Sequence, residues 1–435
     1  MIDDVSKLKD LPYLYDRAGR VCITEDTVLR IVENDTKIRE YKEILNSDYV
    51  EGWFSSGLVY TEIQKENDGE LILQHKKIPF ILHPCEYSNE MFWRAASMIL
   101  RLNLNLSENG FLLHDAHPWN VSFDGESPVF YDFTSIKKSN SISKDWFEEF
   151  YSYFIVPIWL ASYSKKTYPF SKEYRKEHTN GFGLKIFKSK YIKKIIFRNF
   201  TSLVKYQDEP QKLLTKLIDW VEKHKPISKE PEYWSNYYDT HNLDFKNPET
   251  IKQKFVYNIL SEQKPEKVLD LASNKGYYAE MASYLGASVM AFDYEEEIVN
   301  HLALVNDSNN KITPAFMDLK FPTPSLGPGL FWRDSFYRFK SNIVLALGLI
   351  HHICLSQEVP VYLFCETCKK YAMDGIILEF VDPSDIHVKT WNKKTPKDYS
   401  IESIQKFMEN KFLNCKKSEL DSNNGINRTY LYFYK

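Results

Sequence analysis

At 435 residues the chain is too long for one ordinary hydrophobic core, so two domains with a helical connector are expected. Hydrophobic residues at 43% and charged residues at 26% are a globular mix, which excludes long disordered stretches. A formal net charge of −3 gives no overall pull towards nucleic acid or an anionic membrane, so neither is expected as a partner.

The first ten residues carry no apolar signal core. Residues 1–140 alternate strand-like runs (20–24, 27–32, 71–74) with helical ones (35–45, 89–104). Residues 141–245 read as a mostly helical, aromatic connector. Its most apolar window, 150–161, is interrupted by Pro157 and too short for a transmembrane segment. Lys185, Lys188, Lys190, Lys193, Lys194 and Arg198 read as a solvated helix face, with a site for a phosphate-bearing or acidic substrate as the alternative. Residues 239–249 have the composition of a linker.

From residue 246 onward, helix and strand alternate. Helices are predicted over 248–261, 276–286, 295–304, 356–372 and 400–411. Strands are predicted over 267–272, 288–293, 312–317, 342–347, 375–380, 413–419 and 428–434. This is an α/β pattern of βαβ units, giving a Rossmann-like, mostly parallel, seven-stranded sheet with helices on both faces. The six cysteines (Cys22, Cys85, Cys354, Cys365, Cys368, Cys415) are sparse, which fits a reducing cytoplasm. Cys365 and Cys368 form a lone CxxC inside an apolar helical run. A zinc site needs four ligands, so these two read as a buried helix face.

Residues 267–293 carry the strongest signal: a buried strand, a small-residue loop, a helix and a second strand ending in an acid. The stretch Val268-Leu269-Asp270-Leu271-Ala272-Ser273-Asn274-Lys275-Gly276 resembles the first motif of class I S-adenosylmethionine-dependent methyltransferases. That pattern is an acid followed by three glycines at alternate positions. Here Ala272 and Asn274 stand in place of two of them; Ala is small, and Asn tolerates left-handed backbone. Seventeen residues after Gly276 comes Asp293, where the family holds the ribose hydroxyls of its cofactor. The resemblance also assigns cofactor contacts to Tyr294, to Met317 and Asp318 after the third strand, and to Leu347. Gly348-Leu349-Ile350-His351-His352 then resembles the segment beside the reacting methyl, which makes His351 and His352 candidates for a base or for a helix cap. The GxGxxG of dinucleotide enzymes is absent after the first strand.

A second constellation runs from Leu113 to Asn120 (LHDAHPWN) and from Pro128 to Thr134 (PVFYDFT). It resembles the catalytic core of aminoglycoside-phosphotransferase-like kinases, which implies an α+β fold. Asp115 matches the base, and Asn120 and Asp132 match two magnesium ligands on the phosphates of ATP. The preceding segment departs from the pattern. Residues 15–32 contain one glycine, Gly19, and Arg30 occupies the place of the phosphate-pairing lysine, with Glu40 or Glu43 as its expected helix partner. A retired kinase kept for substrate binding or structure is the first reading, a live kinase the second and a coincidental match the third.

Taken whole, the chain resembles the NoeA-type nodulation-protein family. The residues that carry this are Pro79-Phe80-Ile81, Pro84-Cys85-Glu86-Tyr87-Ser88, the Asp115–Asn120 loop, Pro128-Val129-Phe130 and the stretch Trp234–Tyr238. The resemblance implies a kinase-like region over 1–140, a connector over 141–245 and a methyltransferase domain over 246–435. It also implies S-adenosylmethionine as cofactor and a glycan or other small polar acceptor, with Tyr237 and Tyr238 placed to cover the site. A bifunctional kinase–methyltransferase using magnesium and ATP, and a non-catalytic scaffold, are the alternatives.

Overall fold

The structure, a computed structural model, describes residues 13–16, 19–24, 27–67, 69–163, 203–226, 245, 247–305, 311–391 and 393–435. The basic cluster 185–198, Trp234, Tyr237 and Tyr238 lie outside the described residues.

The chain opens with a five-stranded antiparallel sheet of β1 (Tyr13–Asp16), β2 (Gly19–Ile23), β3 (Val28–Val32), β4 (Thr61–Asn67) and β5 (Glu70–His75), in the order β1-β2-β3-β5-β4. Helix Asp35–Leu45 crosses between β3 and β4, capped by the Asn34 side chain, which accepts the Lys37 N–H. Its Tyr41 and Ile44 are buried. Helix Asn89–Ser107 is the spine of the region, buried along most of its length. Two short pairs follow: β6 (Phe111–Leu113) with β9 (Ile136–Lys138), and β7 (Val121–Asp124) with β8 (Ser127–Phe130).

The connector starts as helix Lys144–Phe150, loosens to a π-helical turn at Tyr151–Ile155 and resumes as helix Val156–Tyr163. Pro157 accounts for the loosening, because it lacks an N–H and its ring crowds the carbonyl of Tyr153 four residues earlier. Helix Pro210–Lys223 returns to the spine, where the Trp93 indole N–H donates to the Val221 carbonyl at 2.9 Å.

The second sheet has seven strands: β10 (Lys267–Leu271), β11 (Ser288–Asp293), β12 (Ile312–Phe316), β13 (Ser341–Ala346), β14 (Ala372–Val381), β15 (Asn414–Lys417) and β16 (Arg428–Tyr434). Their order is β12-β11-β10-β13-β14-β16-β15. As expected, the sheet is parallel from β12 through β14, but it is mixed as a whole, because β16 inserts between β14 and β15 and runs antiparallel to both. The physical reason is local: β15 and β16 are joined by a short connection of ten residues, 418–427, too short for a parallel crossover. Cys365 and Cys368 lie on the buried side of helix Val361–Tyr371. No helix among the described residues is long and apolar enough to cross a membrane.

The two sheets are joined by buried polar contacts. Edge strand β12 is buried at every position because it packs against β7 and the Pro84–Glu86 turn. Glu86, fully buried, holds Arg338 in a bidentate pair at 2.5 and 2.7 Å, and Arg338 also donates to the Ile81 carbonyl at 2.7 Å. Helix Asn89–Ser107 is capped from the far side. The Asn89 N–H donates to Glu296 at 2.6 Å, and the Glu90 N–H donates to Asn300 at 3.1 Å. Glu296 and Asn300 lie one turn apart on helix Glu296–Val305, so one helix supplies acceptors for the orphan N–H groups of the other. The Lys267 ammonium reaches the Pro79 carbonyl at 3.0 Å, and Trp119 stacks on Trp332 with centroids 4.9 Å apart.

Arg338→Ala would leave Glu86 buried without its counter-ion. It should cost about 3–5 kcal/mol of stability in urea unfolding. The double change Glu86→Gln with Arg338→Met should cost clearly less, and equal losses in the two variants would contradict this account of the pair.

Candidate functional site

The loop after β10 bends three times. Ala272, Asn274 and Gly276 all have positive φ, at 57°, 49° and 87°. These are the alternate positions at which the resembling family carries glycine, so the backbone shape persists where two of the glycines do not. Gly276 cannot be replaced in the same way. A Cβ there would lie 2.5 Å from Leu302 Cδ2, besides adopting left-handed backbone. The Ser273 N–H donates to the Phe292 carbonyl at 3.1 Å, which ties the loop to the end of β11. The Ser273 hydroxyl is buried and has no hydrogen-bond partner among the described residues.

Asp293, at the tip of β11, faces this loop. Its carboxylate accepts the N–H groups of Asn274 at 3.2 Å and Glu295 at 3.0 Å. Burial pushes its carboxyl up to about 6 even though these N–H groups pull the other way. Asp270 lies deeper in the same strand layer and is pushed up to about 7 by burial, with Lys252 opposing the rise and Asp293 adding to it. Met317 is drawn beside Asp293 through its N–H to the Asp293 carbonyl at 2.9 Å. Asp318, half-buried, accepts the Lys320 N–H at 2.9 Å. Tyr294 is exposed, and its hydroxyl donates to Glu295 at 3.0 Å. Leu347 is buried at the end of β13.

The opposite wall follows β13. Gly348 takes φ 62° and leads into His351 and His352, whose rings lie 4.2 Å apart. Trp391 stacks on His351 at 5.7 Å and 19°, and its ring also lies 5.2 Å from His352. Burial, together with His352 and Arg428, holds His351 down at about 3, so it is neutral at ordinary pH. His352 is lowered as well, again chiefly by burial. The His351 Nδ1 is buried with no hydrogen-bond partner among the described residues.

Sequence reasoning missed Lys252, Glu379, Asp385, Trp391 and Arg428, which frame this wall. Glu379 accepts the Gly348 N–H at 2.8 Å and pairs with Lys252 at 2.6 Å and Arg428 at 2.9 Å. Burial alone would raise its carboxyl, but the two cations outweigh that and hold it at about 2. A signal was present. Glu379 interrupts the run Ile-Ile-Leu-Glu-Phe-Val of a buried strand, where an acid is tolerated only with partners.

In the N-terminal region, Asn120 and Asp132 come together, with Asn120 Nδ2 at 3.5 Å from Asp132 Oδ2. Asp132 also accepts the Thr134 N–H at 3.1 Å and its hydroxyl at 2.6 Å. Asp115 lies between β6 and Asn120, its N–H donating to Ser135 Oγ at 3.0 Å. The expected partnership of Arg30 with Glu40 or Glu43 is corrected by the structure. Glu40 pairs with Lys37 at 2.6 Å and Glu43 pairs with Lys138, so both carboxylates are engaged elsewhere. Strands β1 and β2 pair antiparallel, with Asp16 opposite Gly19.

No family model matches the chain. It is 28% identical over 349 residues to the nodulation protein NoeA of Rhizobium meliloti (strain 1021), an alignment covering 73% of this chain and 72% of that protein. Among solved structures it is similar to the magnesium protoporphyrin IX methyltransferase ChlM from Synechocystis PCC 6803 with bound SAH, at 16% identity and a TM-score of 0.33, over 46% of this chain and 92% of that one. It is also similar to WbdD, at 14% identity and a TM-score of 0.33, over 48% of this chain and 45% of that one. The chain thus spans less than half the length of WbdD.

Restoring glycine at the eroded positions tests the loop geometry. Ala272→Gly removes a left-handed alanine and should stabilise by about 0.5–1 kcal/mol net of the added chain entropy. Gly276→Ala should destabilise by about 1–3 kcal/mol through strain and the clash with Leu302. Urea unfolding of both variants checks the pair, and equal midpoints would contradict it.

Proposed function

We propose that this chain, a relative of the nodulation protein NoeA, is an S-adenosylmethionine-dependent methyltransferase. The observation that carries the reading is the left-handed backbone at all three alternate positions of the 272–276 loop, facing the buried carboxylate of Asp293. Such a loop presents peptide groups at close range, and a carboxylate across from it can accept both hydroxyls of a ribose. The residues fit that cofactor. Ala272 and Gly276 leave room at the loop, and Ser273 offers a buried hydroxyl that no described protein group engages. Asn274, Tyr294, Met317, Asp318 and Leu347 complete the surround, with Asp270 behind them.

When bound, S-adenosylmethionine supplies a methyl group already activated by its sulfonium. The chain's own residues must then align an acceptor and, for a hydroxyl, take its proton. His351 and His352 stand at the segment after β13, where the acceptor would approach. An imidazole held neutral is able to accept a hydroxyl hydrogen bond. The acceptor we favour is a glycan or another small polar molecule, met in the cytoplasm by a domain spanning residues 246–435. Residues 1–140 would serve as a kinase-like module for substrate binding or structure, with residues 141–245 as its connector.

One observation favours a second reading, a bifunctional kinase–methyltransferase. Asn120, at the end of the loop that carries Asp115, meets Asp132, which follows β8, at 3.5 Å, as two ligands for the magnesium of ATP would need to. The pairing of Glu40 with Lys37 and of Glu43 with Lys138 weighs against it.

Calorimetric titration should show S-adenosylhomocysteine binding to the wild-type chain, and Asp293→Ala should weaken it about tenfold or more while the fold survives. Affinity should climb as pH rises through about 6, because Asp293 must ionise to accept the ribose hydroxyls well, and Asp293→Asn should flatten that profile. An unchanged affinity in Asp293→Ala would sink the ribose assignment. For the second reading, magnesium-dependent ATP binding lost in Asp132→Ala is the expected result. Absence of ATP binding at any magnesium concentration would leave the N-terminal module without a nucleotide site.

A further inference from the structure

Glu379 is fully buried in β14 yet holds three donors: the Gly348 N–H, the Lys252 ammonium and the Arg428 guanidinium. Arg428 continues the chain of contacts, its Nε reaching Asp385 Oδ2 at 3.1 Å. Two cations and two carboxylates thus balance out of water. Such a set is a poor source of stability compared with apolar side chains of similar volume, so its presence points to a need for fixed geometry.

Each contact aims a different segment. Lys252 lies on helix Ile251–Gln263 and also sits over the Tyr278 ring at 4.9 Å, on the helix that Gly276 opens. The Gly348 N–H fixes the left-handed turn from which His351 and His352 project. Asp385 accepts the His387 N–H at 3.0 Å and caps helix Ile386–Lys389, which delivers Trp391 onto both histidines. Asp385 also accepts the Asn427 N–H at 2.9 Å, so the same carboxylate pins the start of β16. The donor-side loop and the histidine–tryptophan wall therefore share one buried carboxylate.

We propose that Glu379 is a positioning residue for methyl transfer, holding an acceptor wall made of Trp391, His351 and His352 in register with the donor loop. The proposal rests on the methyltransferase reading above. Glu379 touches neither acceptor nor cofactor in this scheme; it acts through Gly348, Lys252 and Arg428. No other residue among those described bonds at once to the segment after β13, the helix before β10 and the start of β16.

The test uses the full chain labelled with 5-fluorotryptophan and saturated with S-adenosylhomocysteine, read by fluorine NMR. Trp391→Phe identifies one line among the nine tryptophans. Glu379→Gln keeps the shape but not the charge, and it should split or broaden the Trp391 line while the other lines hold. Glu379→Asp, which keeps the charge, should return most of the intensity to a single line. Should Glu379→Gln fail to fold, Asp385→Asn carries the test, since it cuts only the acceptor end and should disturb the same line with S-adenosylhomocysteine still bound. A Trp391 line unmoved in every folded variant, with S-adenosylhomocysteine bound, overturns the positioning role. Failure of wild type to bind S-adenosylhomocysteine in calorimetry would instead overturn the methyltransferase reading itself.

Discussion

The Glu86 carboxylate and the Arg338 guanidinium are both withdrawn from water, with side-chain exposures of 1% and 6%. Neither could be accommodated alone, since an unpaired buried charge costs several kcal/mol. One comes from the N-terminal region and the other from the segment between β12 and β13, so each half of the chain makes the other's interior tenable. The same dependence recurs at helix Asn89–Ser107, whose first N–H groups are satisfied by Glu296 and Asn300. It recurs again at β12, an edge strand with no exposed position because the N-terminal region covers it. The seven-stranded sheet is thus supported along its β12 edge by the N-terminal region.

That dependence gives the N-terminal region a structural role of its own. A region that supplies the counter-charge for Arg338 and the cover for β12 cannot be dropped without exposing both. On helix Asp35–Leu45, Glu40 and Glu43 pair with Lys37 and Lys138 within the same region. The stack of Trp119 on Trp332 adds a further contact with the segment after β12.

Local pattern made the second sheet legible. Alternating apolar runs and helical periods placed β10, β11 and β12 within a residue or two, because each element buries a face that its own sequence declares. The candidate site was readable in the sequence because it is local: Asp270 and Asp293 lie at or near the ends of β10 and β11, and the 272–276 loop and the Met317-Asp318 pair directly follow β10 and β12. Long-range pairing was not legible. The reversal of β16 depends on which edge it joins, and the Arg338–Glu86 pair spans 252 positions. Glu379 was visible as an acid in an apolar strand, but its meaning lay in Lys252 and Arg428, which no spacing rule connects to it. The expected helix at 356–372 begins later, at Val361, because Pro360 fits the position before the first turn and cannot lie further inside.

The buried acids of the site fall into two kinds, and the difference follows from their neighbours rather than from depth. Glu379 is surrounded by two cations and an N–H, and is held ionised at about 2 despite complete burial. Asp293 has only backbone N–H groups to offset its burial and is pushed up to about 6; Asp270 has one opposing cation and an acid beside it, and reaches about 7. A carboxylate whose lone pairs are already taken has little more to offer a ligand, which suits a part that holds other parts in place. A carboxylate with acceptor capacity left, beside a loop bent to bring backbone close, gains most when hydroxyl donors arrive. The two roles proposed for Glu379 and Asp293 thus match the number of donors each one faces.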